Sequence, residues 1–257
     1  MTTLSKPYRR LWRPMKGFES KIQRIFSDDK TPSIEYLIDD LFADQAEKKS
    51  QIISAHLILK DLYELFNYVE PCDKNKIVYS HRIYELFLRV CTEVESNMKG
   101  ILKANGYSST TSFTMNNDYF KLKNACHLDE YKIKFERWKE DFFFTPFSQW
   151  NTNTYRSLSW YRDYNDVKHE RYKEFEKANL ENLMNSIAAL LSLLHAQYGE
   201  EMCDACHLGI SATQNDQLKV YTDTYVLEAP DFAGDEYEFD WDSIKSVLNP
   251  PVDNYIF

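Results

Sequence analysis

Glycine and proline are scarce in this chain, which has 6 glycines and 8 prolines among its 257 residues. β-Sandwiches and β-barrels need frequent turns, so this scarcity argues against both classes. Long apolar runs are missing as well. The longest stretch without a charged side chain runs from Asn182 to Gly199, and its Asn, Ser, His and Gln residues make it too polar for a membrane span. We therefore predict that the chain does not cross a membrane and that this stretch is a core helix.

Cysteines are few, and their number is odd: five are scattered through the chain. A small secreted domain built on disulfides would carry an even set at regular spacing. The basic N-terminus is not followed by the apolar run of a signal peptide. We predict reduced thiols and a cytoplasmic location.

Charge is distributed unevenly along the chain. The formal charge is −9, yet residues 1–26 hold seven Lys and Arg side chains against one acidic residue, so the remaining 231 residues sum to −15. A basic arm on an acidic body either contacts phosphates or docks on its own acidic surface. The sequence leaves both alternatives open.

Helical periodicity dominates the middle of the chain. Apolar residues recur at helical spacing in segments 31–42, 51–68, 77–103, 128–143, 158–177 and 180–198, with a short candidate at 242–248. Asn179 is a suitable N-cap and Gly199 a suitable terminator for segment 180–198, whose wide apolar face predicts the central core helix. Residues 208–227 alternate between polar and apolar around Asn215 and Asp216, which predicts a β-hairpin.

These signals together predict an all-α helical bundle in three parts. A basic N-terminal arm covers residues 1–30, the bundle covers residues 31–199, and an acidic C-terminal appendage with the hairpin covers residues 200–257. A long insertion is predicted at about 105–155, because residues 105–125 are rich in Ser, Thr and Asn. Aromatic residues are plentiful but are not interleaved with basic ones outside residues 1–26, so we expect most of them in the core.

One segment, WYRDYNDVKHER, combines residues that can do chemistry. On a helix, Arg162 and His169 point the same way two turns apart, and Asn165 and Asp166 lie on the same face. We call these four residues the polar stripe. The opposite face is predicted to point into the core and carries Trp160, Tyr164 and Val167.

The polar stripe contains the groups that RNA phosphodiester cleavage requires. A histidine can take a proton from a ribose 2′-hydroxyl or give one to a leaving oxygen, and an arginine can stabilise charge on a phosphate. We assign His169 as general acid–base and Arg162 as phosphate stabiliser. Asn165 and Asp166 are assigned supporting roles beside the imidazole. Lys168 and Arg171 flank the site and are assigned contacts with backbone phosphates of the RNA.

The same segment resembles the motif helix of the HEPN superfamily (higher eukaryotes and prokaryotes nucleotide-binding), in which an Arg is followed after four to six residues by a His. A polar residue usually follows the Arg, and here Asp163 does, so the resemblance implies a supporting role for Asp163 as well. The resemblance covers about residues 77–199, although the insertion is larger than the family usually carries. It implies an all-α bundle that forms a homodimer, in which the Arg162 and His169 faces of two copies meet in one composite cleft.

Many HEPN proteins are metal-independent endoribonucleases in toxin–antitoxin, abortive-infection and CRISPR-linked defence. The resemblance therefore implies an RNA substrate, no cofactor, and an antitoxin or regulatory protein as a possible partner. Other members keep the fold without turnover. The alternatives are thus a non-catalytic nucleotide-binding module, or an interaction module whose polar stripe lines a contact between helices.

A second motif, Cys203-x-x-Cys206-His207, has the spacing of c-type haem attachment and of half a zinc site. Haem attachment occurs on exported chains, and zinc would need remote ligands such as Cys126 and His127. We predict instead two buried thiols, with no metal and no cofactor.

Other isolated titratable residues have simpler interpretations. The sequence predicts structural or surface roles for three histidines in helical segments, His56, His81 and His195. Glu93 and Glu95 are predicted to be solvated, with an approach to the polar stripe as the alternative.

Overall fold

The computed structural model describes residues 4–14, 45–109, 112–199, 213–215, 219–238 and 252–257. Its α-helices are α1 (Gln45–Leu65), α2 (His81–Ala104), α3 (Leu122–Cys126), α4 (Ser159–His169), α5 (Arg171–Glu174) and α6 (Leu180–Tyr198). Helix α6 packs along α2, α1 packs against both of them, and α4 packs against α6 and α2. The predicted largely helical fold is confirmed. Within the described ranges, no helix combines the length and the apolar character that crossing a membrane would require.

Helix α6 is the central core helix, as its sequence predicts. The side chain of Asn179 caps its start by accepting a hydrogen bond of 3.0 Å from the backbone N–H of Asn182, and Gly199 follows its end with φ of +58°. All residues of α6 except Glu181 and Asn185 are buried. The other helices of the bundle pack around this one.

Helices α1 and α2 follow their predictions with shifted ends. Helix α2 starts after Ser80, whose hydroxyl accepts from the backbone N–H of Ile83 at 3.2 Å, four residues after the predicted start. Helix α1 begins earlier than predicted and ends before Pro71. The predicted helices at 31–42 and 242–248 lie outside the described residues.

The helix predicted over residues 128–143 is wrong. A short 3-10 turn covers Leu128–Glu130 and strand β1 covers Lys132–Phe135. Tyr131, Ile133 and Phe135 are buried while the two lysines between them are not, so the apolar period here is two and not 3.6. That alternation is visible in the sequence.

Strand β1 belongs to a sheet that is larger than the predicted hairpin. Strands β2 (Thr213–Asn215) and β3 (Lys219–Tyr221) pair antiparallel, as the alternation around Asn215 predicts. Strand β4 (Tyr225–Glu228) pairs with β3 and with β1, which gives the order β1-β4-β3-β2. The C-terminal part of the chain is therefore joined by backbone hydrogen bonds to the predicted insertion.

The predicted insertion supplies much of the hydrophobic core. Tyr131, Phe135, Phe144, Phe147 and Trp150 are each at most 1% exposed. They belong to the same cluster of buried side chains as helices α2, α4 and α6. Residues 105–155 thus form a layer that packs against the bundle. The apolar face of α4 is buried against this layer.

The described part of the basic N-terminal arm, residues 4–14, docks on the body of the same chain. Arg13 is buried, and its guanidinium donates to the carboxylate of Asp235 at 2.7 Å. Lys6 forms an ion pair with Asp253 at 3.5 Å. For residues 4–14, docking on the acidic surface of the same chain is therefore the alternative observed, because Asp235 and Asp253 of the C-terminal part bind Arg13 and Lys6.

Candidate functional site

Helix α4 carries the predicted site, and its two faces lie as its sequence predicts. Trp160, Tyr164 and Val167 are at most 2% exposed, and the Trp160 indole N–H donates to the carbonyl of Pro146 at 2.8 Å. This anchor fixes the rotation of α4 about its axis. Because of that rotation, Arg162 and His169 are both exposed on the outer face.

Arg162 and His169 lie at opposite ends of the polar stripe. The Arg162 side chain is 60% exposed and its nearest carboxylate, that of Asp163, is 3.4 Å away. His169 is the last residue of α4. Seven helical residues separate the two by about 10 Å along the axis. Within the described part of the chain, the His169 imidazole forms no hydrogen bond, so it is available to a ligand.

Asp163 and Asp166 connect α4 to neighbouring segments, and Asn165 bonds within the helix. Within the described residues, none of these three supporting residues forms a hydrogen bond with His169. The Asp163 carboxylate accepts a hydrogen bond of 2.9 Å from the Asn182 side chain of α6. Asp166 binds the ammonium of Lys177 at 2.8 Å, and this contact raises the Lys177 pKa. Asn165 donates to the Tyr161 carbonyl within the helix at 3.1 Å. The predicted orientation of the imidazole by these groups is not present in the single chain.

Lys168 lies beside an aromatic and acidic contact with α2. Its ammonium donates to the Tyr164 hydroxyl at 3.0 Å, and this hydrogen bond is the main cause of its raised pKa. Glu95 accepts a hydrogen bond of 2.6 Å from the Tyr161 hydroxyl. Glu95 therefore contacts the motif helix through Tyr161, which is not a residue of the polar stripe, so the predicted approach to the stripe itself is not observed for it.

The chain turns sharply directly after His169, which the sequence does not predict. Glu170 has φ of −128° and ψ of 48°, so the helix predicted over 158–177 is broken there into α4, α5 and a 3-10 turn at Phe175–Lys177. The break directs Arg171 toward the start of α2. There its guanidinium donates to His81 Nδ1 at 2.9 Å.

Aromatic rings surround this Arg171 guanidinium. Its carbon is 4.6 Å from the ring centroid of Tyr84 and 5.6 Å from that of Phe175, and the His81 ring contacts the Phe175 ring. The expectation that aromatic residues outside 1–26 are not interleaved with basic ones is wrong here. The segments 79–84 and 168–175 each mix the two types, and the fold brings them together.

Buried titratable groups elsewhere have structural roles. His195 of α6 is fully enclosed and its Nδ1 lies 3.0 Å from the Tyr131 hydroxyl; burial lowers its pKa to about 3, so it is a neutral core residue. Burial raises the pKa of the Cys126 thiol to about 12. His127 has its two ring nitrogens 3.0 Å from the carboxylates of Glu130 and Asp235.

Metal binding finds no support among the described residues. No cluster of three or more His, Cys, Asp or Glu side chains there has the geometry to hold a metal ion. Cys203, Cys206 and His207 lie outside the described residues, so their motif stays a prediction.

Among the described residues, Arg162 and His169 do not line the cleft that the structure shows. A cleft of about 410 Å³ lies elsewhere, between residues 120–124 and the end of the chain, with Lys121, Lys123 and Tyr255 among its lining residues. Arg162 and His169 are instead exposed on the outer face of α4. A ligand would therefore need a second surface to be enclosed there.

Comparison with known proteins adds no relative: no protein-family model, curated protein or solved structure matches this chain.

Proposed function

We propose that the chain is a metal-independent endoribonuclease of HEPN type that acts in bacterial or phage defence. The observation that carries the proposal is the orientation of α4, which exposes Arg162 and His169 on the same face while Trp160 anchors the other face in the core. Helix stability alone does not require an Arg and a His aligned in solvent. The resemblance of WYRDYNDVKHER to the HEPN motif helix adds to this argument.

The reaction is cleavage of an RNA phosphodiester by its neighbouring 2′-hydroxyl. The neutral His169 imidazole takes the 2′-hydroxyl proton, and the 2′-oxygen attacks phosphorus as the bond to the 5′-oxygen breaks. The 5′-oxygen takes up a proton and leaves, which gives a 2′,3′-cyclic phosphate and a 5′-hydroxyl end. The Arg162 guanidinium stabilises the negative charge that develops on the phosphoryl oxygens.

A homodimer would complete the site. In one copy, Arg162 and His169 are exposed and about 10 Å apart along the helix, which is too open to exclude water from a phosphate. Two antiparallel α4 helices facing each other would place Arg162 of one copy near His169 of the other. The second His169 would then supply the proton to the leaving 5′-oxygen.

The test compares the wild type with His169→Ala and Arg162→Ala on total RNA and tRNA in the presence of EDTA. We expect cleavage by the wild type and a loss of about 10²-fold or more in either variant, typical of removing a general acid–base or a charge stabiliser. His56→Ala, a histidine of α1 outside the site, is the matched control and should cleave like the wild type. Fragment ends with a cyclic phosphate would identify the 2′-hydroxyl as nucleophile.

A non-catalytic nucleotide-binding or interaction module is the second candidate. It is favoured by one observation: Asp163 and Asp166 are engaged with Asn182 and Lys177 and do not orient the imidazole. Intact RNA after incubation with folded wild-type protein in EDTA would reject the nuclease and support this module. Arg162→Ala would then lower dimer stability or nucleotide affinity and have no activity to lose.

A further inference from the structure

Arg171 differs from the next two cations along the chain, Lys173 and Lys177. Lys173 pairs with Glu170 at 2.9 Å and Lys177 pairs with Asp166 and Glu174 at 2.8 and 2.6 Å. Arg171 forms no ion pair with a carboxylate of the described residues, and its one polar partner is His81 Nδ1. Within the described part of the chain, its charge is therefore not paired with a carboxylate, although the formal charge of the whole chain is −9.

The Arg171 guanidinium is also held in a defined orientation. The rings of Tyr84 and Phe175 contact it, and His81 accepts one of its N–H groups. These contacts restrict a side chain that is otherwise flexible, so less conformational entropy is lost when it binds a ligand. The guanidinium still has other N–H donors for a phosphate, since arginine carries five.

Tyr172 follows with a ring that is 99% exposed. It lies three residues after His169, beyond the sharp turn at Glu170. An exposed aromatic ring adjacent in sequence to an arginine without a described carboxylate partner is a combination by which proteins hold single-stranded nucleic acid, with the base stacked on the ring and the phosphate on the cation. A purely apolar protein interface does not need the arginine.

We propose that Arg171 and Tyr172 form a nucleotide-binding subsite beside the polar stripe, in which Arg171 binds a backbone phosphate and Tyr172 stacks on an unpaired base. This inference rests on the proposed RNA substrate and restricts that substrate to RNA with an unpaired nucleotide. Bases inside a duplex are already stacked, so Tyr172 selects a nucleotide that is single-stranded or looped out. The subsite holds that nucleotide next to the phosphate that His169 and Arg162 act on.

The binding test uses the full chain with His169→Ala, so that RNA is not consumed. The probe is a short single-stranded RNA with one 2-aminopurine, whose fluorescence is quenched by stacking; the same RNA in a duplex is the comparison. We expect quenching with the single strand and weaker binding of the duplex. Adding Tyr172→Ala should remove the quenching and weaken binding about tenfold, whereas Tyr172→Phe should keep both.

Two further variants complete the test: Arg171→Gln tests the phosphate contact apart from stacking, and Tyr68→Ala controls for the loss of an exposed aromatic ring. Arg171→Gln should weaken binding and reduce the slope of log affinity against log salt by about 0.7, the value for one phosphate of a single strand. Tyr68→Ala removes another exposed tyrosine, 81% exposed and far from Tyr172 in sequence, and should change nothing. Equal binding by Tyr172→Ala, or an equal loss in Tyr68→Ala, would overturn the subsite.

Cleavage by the chain with His169 present distinguishes the two proposals. If wild type and Tyr172→Ala cleave RNA equally at subsaturating concentration, the nuclease stands and the subsite is wrong. If RNA binds through Tyr172 but remains intact, the subsite stands and the nuclease is wrong. Self-association that depends on Tyr172 without any RNA binding would make this surface a protein interface and overturn the inference.

Discussion

At the scale of single residues, His195 shows how position in the core decides what a histidine does. The same residue type that is exposed at position 169 is fully enclosed at position 195, where it contacts Tyr131 and packs edge-to-face near Trp12. Burial disfavours its charged form and lowers its pKa to about 3. His195 is therefore a neutral hydrogen-bonding residue of the core at physiological pH.

The lowered pKa of His195 predicts a loss of stability in acid. The unfolded chain binds a proton on this residue below about pH 6.5, whereas the folded chain does so only near about pH 3. Its contribution to stability is thus complete above about pH 6.5 and falls as the pH is lowered toward about 3. Lowering the pH from about 7 to about 5 should therefore reduce the unfolding free energy of the wild type by about 2 kcal/mol through His195.

The measurement is denaturant unfolding of the wild type and His195→Asn at both pH values. The Asn amide oxygen is bonded to Cγ as Nδ1 is, so it can still accept from the Tyr131 hydroxyl. The variant should therefore remain folded, and it should lack this part of the pH dependence. Parallel stability curves for the two proteins would contradict the assignment.

Residue patterns predicted the composition of the site but not its partners. Arg162 and His169 share a face because a helix repeats every 3.6 residues, which is local geometry. The contact of Asp163 with Asn182 joins residues of two helices. It depends on how α4 crosses α6, which no spacing within α4 can indicate.

At the scale of elements, helix α2 and the N-terminal segment 4–14 depend on each other. Arg10 of this segment donates to Gln197 of α6 at 2.6 and 2.9 Å and to Glu47 of α1 at 2.9 Å. Its guanidinium lies against Gly100 in the last third of α2, where a Cβ atom would come within 2.6–2.9 Å of it. A glycine inside this helix is thus explained by a side chain from another element.

The contact predicts a non-additive pair of substitutions. An alanine normally stabilises a helix interior by about 1 kcal/mol relative to glycine. We expect Gly100→Ala to destabilise the wild type, because the methyl group displaces the buried Arg10 guanidinium, and to be stabilising in an Arg10→Ala background. A double-mutant cycle of unfolding free energies should give a coupling of about 1 kcal/mol or more; additivity would show that Arg10 does not occupy this space.

Predictions of elements succeeded where a long segment kept one apolar period and had capping residues at its ends. They failed where tertiary contacts overrode the local pattern. Segment 180–198 has a wide apolar face between Asn179 and Gly199 and forms α6 as predicted. Segment 128–143 contains the alternation of β1, which is stabilised by pairing with β4 almost a hundred residues later. No glycine or proline in segment 158–177 predicts the break of the helix at Glu170.

At the scale of the whole molecule, helices and sheet share one hydrophobic core. Leu227 of β4 is 0% exposed and stands opposite Ile133 of β1. Both belong to the same buried cluster as the bundle helices. The bundle and the sheet should therefore unfold together as one cooperative unit.

Leu227→Ala tests this cooperativity. Removing a fully buried leucine should lower the unfolding free energy by about 2–5 kcal/mol, and the helical signal in circular dichroism should shift with tryptophan fluorescence in one coincident transition. Glu228→Ala on the same strand removes a partly exposed ion pair with Lys132 and should cost less than about 1 kcal/mol. Separate transitions for the two signals would show that the sheet is an independent unit.

The sequence by itself determined the helical character, the central position of α6, the two faces of α4 and the absence of any apolar stretch long enough to span a membrane. These features follow from local periodicity, capping and composition, which act over one or two helical turns. Only the tertiary structure decided that residues 105–155 build core, that Arg13 binds Asp235 and that Arg171 lies between Tyr84 and Phe175. Those contacts join residues far apart in the chain, and they form because burial of apolar surface selects one packing among many that the local patterns allow.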